Sequence, residues 1–182
     1  MAATIPTNGI VLNSGLNIAD GNITFAGSGH GVNLGVTSDS SDSNLLDDYE
    51  EGSYEPTLTD SAGNVTSIVV NSSYNSLAYT KVGRRVSIQG VLVISSFSGS
   101  WGSGYLTMTL PFTCANLTDQ QGRSYIACGT YNVDFSAGTA PYFLTSEGAS
   151  TCTMITSGDN IGGGAGQPGS SGQIYIEGSY IA

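Results

Sequence analysis

One histidine, five carboxylates beyond residue 60, three cysteines and a single tryptophan are the side chains of this chain best suited to chemistry. Acid–base or nucleophilic catalysis needs a base held against a nucleophile, or two carboxylates facing across a cleft. His30 sits between Gly29 and Gly31 near the start of the chain, so any triad would have to be built from that glycine-rich stretch. Asp119, Asp134, Glu147, Asp159 and Glu177 are scattered, and nothing in their spacing sets two of them at glycosidase distance. Cys114, Cys128 and Cys152 are odd in number and lack a Cys-x-x-Cys pair or a histidine partner, which argues against a disulfide framework and against zinc. They read as small buried apolar residues. The expectation is a protein without catalytic residues, cofactor or metal, and not an enzyme.

Binding chemistry is better represented. Trp101 is flanked by Ser98-Gly99-Ser100 and Gly102-Ser103-Gly104, which places a large aromatic at the crest of a pliant loop. Such a ring either stacks on a sugar or a partner surface or folds back as a lid on its own domain. Tyr105 follows it closely, and Asp159 and Asn160 lie in the glycine-rich run 157–172, which has few side chains able to pack and reads as a long exposed loop. Trp101, Tyr105, Asp159 and Asn160 are therefore the candidate receptor contacts. Tyr131, Tyr142, Tyr175 and Tyr180 add phenols that serve either edge packing or a binding surface.

The charge distribution narrows the partners. The formal net charge is −10, eight of the fourteen acidic residues fall between Asp39 and Asp60, and the four basic residues all lie downstream. A nucleic-acid footprint needs a clustered basic face, so nucleic acid is not an expected partner. Asp39, Asp42, Asp47 and Asp48 lack the spacing of a calcium loop, which leaves a solvated linker as the favoured reading. No run approaches the ~18 apolar residues of a membrane span, so no membrane insertion is expected. Met1 to Pro6 has neither a basic nor an apolar signal region, so no secretory export is expected.

Those residues must be positioned by strands. Gly, Ser, Thr and Asn dominate, and charged residues make up only 10% of the chain, which favours an all-β protein. Residues 1–36 carry four short apolar clusters, at 10–12, 16–18, 23–25 and 32–34, each too short to bury itself. Three copies wound about an axis would supply the missing layer, whereas a lone copy would be a loose arm. Residues 37–52 form an acidic linker. Within it Ser43 or Asn44 could cap a single helical turn that puts Leu45, Leu46 and Tyr49 on one face and ends at Gly52. In a trimer that face would meet the axis, making these three the candidate trimer contacts.

Residues 53–182 read as strand and turn throughout, with strands at 54–58, 65–71, 76–81, 85–94, 105–110, 123–135, 141–145, 152–156 and 173–181. Short strands in this number imply an antiparallel β-sandwich, of jelly-roll type. Alternation in Val86-Ser87-Ile88-Gln89 and in 106–110 makes one face wet and the other packed. The run 91–94 is apolar on both faces, which marks either a subunit interface or an interior strand covered by its own loops.

Three segments carry a family resemblance: Leu46-Asp47-Asp48-Tyr49-Glu50-Glu51-Gly52, Tyr54-Glu55-Pro56-Thr57-Leu58 and Tyr79-Thr80-Lys81-Val82-Gly83-Arg84-Arg85-Val86. Together they resemble the junction and first strands of β-rich head domains in tailed-phage fibre proteins. After about Gly99 the match is limited to Leu110-Pro111-Phe112-Thr113 and a closing tyrosine strand. The resemblance implies a virion location after synthesis in the host cytoplasm, a homotrimer, and a receptor-binding role against a host-surface glycan or another partner. It implies an N-terminal arm, residues 1–36, docked on other virion proteins of the tail. A capsid-bound head fibre or decoration protein is the alternative, with a lectin or glycan hydrolase behind it.

Overall fold

The computed structural model describes residues 32–33, 45–46, 49–100, 104–134, 140–157 and 167–182. Twelve strands alternate along them: β1 (Val32–Asn33), β2 (Leu45–Leu46), β3 (Tyr49–Tyr54), β4 (Leu58–Asp60), β5 (Val65–Val70), β6 (Leu77–Val82), β7 (Arg85–Gly99), β8 (Leu106–Thr109), β9 (Tyr125–Asp134), β10 (Ala140–Thr145), β11 (Thr151–Ser157) and β12 (Gln167–Ile181). A 3-10 turn at Thr118–Gln120 is the one helical segment among the described residues. The expected all-β, antiparallel sandwich is the fold observed.

Strands β3 to β12 form one sheet in the order β3-β6-β7-β12-β9-β10-β11-β8-β4, with β5 also paired to β7. The two ends of that order, β3 and β4, are consecutive in the chain and joined only by Glu55, Pro56 and Thr57. Such a link spans at most about 14 Å, whereas nine strands laid flat would measure about 38 Å across. The sheet must therefore roll over on itself, and its two halves become the layers of the sandwich. Pro56 explains why 54–58 is not the single strand expected: with no N–H to donate, it ends one edge strand before the next begins.

The core lies inside the roll. Leu77, Leu92, Ile94, Leu106, Met108, Ile126, Phe143, Met154 and Ile174 are all fully buried in one cluster with Leu58, Val86, Ile88, Cys114, Cys152, Ile176 and Tyr180. These are alternate residues of their strands, as a period of two requires. Tyr180 is 1% exposed, so it is core and not binding surface. Its hydroxyl donates to the Phe112 carbonyl at 2.8 Å and accepts the Phe112 N–H at 3.1 Å, fixing the segment that follows β8.

The structure corrects the expected helical turn. Leu45–Leu46 is extended and pairs antiparallel with β1, Val32 opposite Leu46 and Asn33 opposite Leu45. Tyr49–Tyr54 is a strand paired along its whole length with β6, so Leu45, Leu46 and Tyr49 share no helical face. An isolated helical turn is marginal in water, and here an open strand edge satisfies the same backbone groups cooperatively. The head sheet thus begins at Tyr49, inside the stretch read as linker. Strand β12 likewise starts at Gln167, within the expected loop. The other short strands expected before residue 32 lie outside the described residues.

Candidate functional site

Of the residues singled out by sequence, Trp101, Asp159 and Asn160 lie outside the described residues. Tyr105 is half-buried beside β8, where its N–H donates to Ser61 Oγ at 2.8 Å and its carbonyl accepts the Ser61 N–H at 2.9 Å. Tyr49 is exposed at the start of β3 and donates to Glu51 Oε2 at 2.6 Å; that bond and the charge behind it raise its phenol pKa. Arg85 donates to Ser179 Oγ at 2.8 Å.

A groove that the sequence did not announce lies over the middle of β7. It is open to solvent, has a volume of about 570 Å³ and is lined by Ser72, Ser73, Tyr74, Asn75, Ser76, Ala78, Gln89, Gly90 and Val91. Its origin is a change of partner along one strand edge. The first part of β7 pairs with β6 up to Gln89, and the last part pairs with β5 from Ile94. Between them residues 71–76 loop across. Asn71 N–H donates to the Val93 carbonyl at 2.8 Å, and Val93 N–H donates to the Tyr74 carbonyl at 3.2 Å. Asn71 Oδ1 also accepts the Ser73 N–H at 2.9 Å, closing an Asx turn. The loop is pinned while its side chains stay at the surface: Tyr74 is 50% exposed.

This arrangement also settles how the doubly apolar run 91–94 is accommodated. Leu92 and Ile94 face the core, while Val91 and Val93 are half-buried on the outer face beside the pinned loop. Beyond them the outer face is aromatic. Tyr175 stands opposite Val91 on one side and Gly129 on the other, and Tyr131 stands opposite Gln173. The Tyr175 hydroxyl donates to Gln173 Oε1 at 2.6 Å. Tyr125 and Tyr142 meet edge-to-face at 4.8 Å.

Two described carboxylates, Asp60 and Glu147, hold backbone in place. The 7%-exposed Asp60 carboxylate accepts N–H groups from Ala62, Asn64 and Val65 at 3.1, 2.8 and 3.1 Å. Burial alone would raise its pKa, but these donors outweigh it and hold the carboxyl below its ordinary value. Glu147 Oε1 accepts the N–H groups of Leu117 and Gly122, at 3.3 and 2.9 Å. Burial pushes the Cys128 and Cys152 thiols up to about 12, and the Cys114 thiol upward as well. Among the described residues no three His, Cys, Asp or Glu side chains gather as a metal site would require.

The three resembling segments meet around Tyr79, which stands edge-on to Tyr54 with ring centroids 6.3 Å apart. The Tyr79 ring lies against Gly52, its hydroxyl donates to Glu50 Oε1, and it packs edge-on to Phe112 with centroids 5.3 Å apart. Lys81 Nζ is 5.7 Å from the Phe112 centroid.

No family model and no curated protein matches this chain. No helix among the described residues is long and apolar enough to cross a membrane. Among solved structures the fold is similar to that of the Dettilon tailspike protein gp208, at a TM-score of 0.59 and 17% identity over 73% of this chain. The chain spans 23% of that protein's length, so the likeness is to one part of a phage tailspike.

Proposed function

We propose that this protein is a fibre or spike component of a tailed-phage virion, whose β-sandwich head attaches to the host surface and whose residues 1–36 dock on the particle. The observation that carries the reading is the fold shared with part of a phage tailspike. The resemblance of residues 46–52, 54–58 and 79–86 to tailed-phage fibre proteins points the same way. Attachment is favoured over turnover by the use of Asp60 and Glu147 to hold backbone. The assembly is a homotrimer in this reading.

Immunogold labelling of intact particles tests the placement. Label on the tail supports a tail fibre or spike, label on the capsid moves the protein to a head fibre, and unlabelled particles overturn the proposal. Light scattering tests the assembly: three chains of 18.6 kDa give about 56 kDa, and a clean single-chain mass removes the trimer.

A further inference from the structure

The groove over β7 has the chemistry of a carbohydrate site. Three serines line it, together with the amide side chains of Asn75 and Gln89. Hydroxyls and carboxamides both donate and accept hydrogen bonds, as sugar hydroxyls do, so they match a ligand whose polar groups are uncharged and of mixed polarity. Tyr74 adds an aromatic wall of the kind that covers the C–H face of a pyranose. Its volume of about 570 Å³ falls within the range of small-ligand sites, about 300–1,000 Å³.

Gly90 lies in the groove lining and has φ of +147°. A Cβ there would come within 2.8 Å of Leu77 Cδ2, so the group that approaches this glycine closely is the buried Leu77 side chain.

Charge selects among ligands. None of the lining residues is ionisable at neutral pH in a way that supplies a cation, and Lys81, Arg84, Arg85 and Arg123 all lie outside the groove. An anionic glycan would thus enter without a counter-charge, against a net charge of −10. An extended peptide would need a free strand edge, but residues 71–76 already bond to β7 at Val93.

We propose that this groove binds a short segment of a neutral glycan, with Tyr74 as the stacking ring and Asn75 and Gln89 as the hydrogen-bonding groups. The site supplies the attachment reading with a ligand class, and it rests on that reading for its biological setting.

The test is a titration of the full-length, isotope-labelled protein with chitotetraose, maltotetraose and a sulfated chondroitin tetrasaccharide, followed through backbone amide shifts. The expected result is saturable shifts confined to 72–76 and 89–91 with at least one neutral sugar, at a Kd of about 1 mM or tighter. Tyr74→Ala is expected to weaken that binding at least about tenfold, Tyr74→Phe to preserve most of it, and Tyr125→Ala to leave it unchanged. No neutral sugar shifting the groove, tighter binding of the sulfated sugar, or shifts centred on Tyr131 and Tyr175 would each overturn the assignment. Failure here with gold-labelled particles leaves the virion reading standing, whereas groove binding with unlabelled particles removes the virion reading alone.

Discussion

The Tyr79 hydroxyl donates to Glu50 Oε1 at 2.6 Å, tying β6 to β3 where the head sheet begins. Gly52 makes the contact feasible, since a Cβ at that position would lie 3.0 Å from the same hydroxyl. Gly52→Val is expected to push the ring aside and destabilise the head by about 1–3 kcal/mol. A lower urea midpoint with an unchanged slope is the readout, and an unshifted midpoint would show that the ring repacks freely.

Two tyrosines in the same core should respond oppositely. Tyr180→Phe strands both the N–H and the carbonyl of Phe112, and is expected to cost about 1–3 kcal/mol. The buried Tyr54 hydroxyl has no hydrogen-bond partner among the described residues, so Tyr54→Phe is expected to be neutral or stabilising by about 1 kcal/mol. Thermal or urea unfolding of the two variants side by side checks the pair, and equal losses would contradict it.

Asp60 gives the head an acid limb with a definite sign. Its folded pKa lies below the ordinary 3.8, so between the two values the unfolded chain binds more protons. The contribution is complete above 3.8 and is lost as pH falls through the lower folded value. Asp60→Asn is expected to be less stable than the parent at neutral pH, with the gap closing in acid. Urea midpoints from neutral pH downward measure it, and a constant gap would exclude the linkage.

With Cys128 and Cys152 pushed up to about 12 and Cys114 raised by burial, folded protein should react negligibly with a thiol-specific disulfide reagent near neutral pH. Denaturant should release all three thiols at once. Rapid labelling of the folded chain would mean that β9, β11 or the segment around Cys114 opens locally.

Strand content was largely legible because alternation survives on most elements: Val86 and Ile88 face inward just as their spacing requires. Where the reading failed, tertiary pairing overrode a local pattern. The spacing of Leu45, Leu46 and Tyr49 fits a helical turn, but β6 offers β3 a ladder that one turn of helix cannot match. The groove escaped for a related reason. Residues 72–76 look like any polar turn, and only the handover of β7 from β6 to β5 makes them a wall. Gly90, inside a strand pattern, was the available hint. Trp101, Asp159 and Asn160, prominent in sequence, lie outside the described residues.

Tyr49 pairs with Val82, Val82 with Arg85, and Arg85 with Ile181, so the first residue of β3 and the last of β12 lie in one row at one end of the sheet. The centre of the groove, at Gly90, lies about 17 Å further along β7 at ~3.3 Å per residue. A load applied between an anchored Tyr49 and a ligand held at Gly90 would run along the strands, straining the six β3–β6 residue pairs together as shear. Peeling them one by one would require a sideways pull. Along that axis the β3–β6 ladder therefore carries a load as a whole rather than pair by pair.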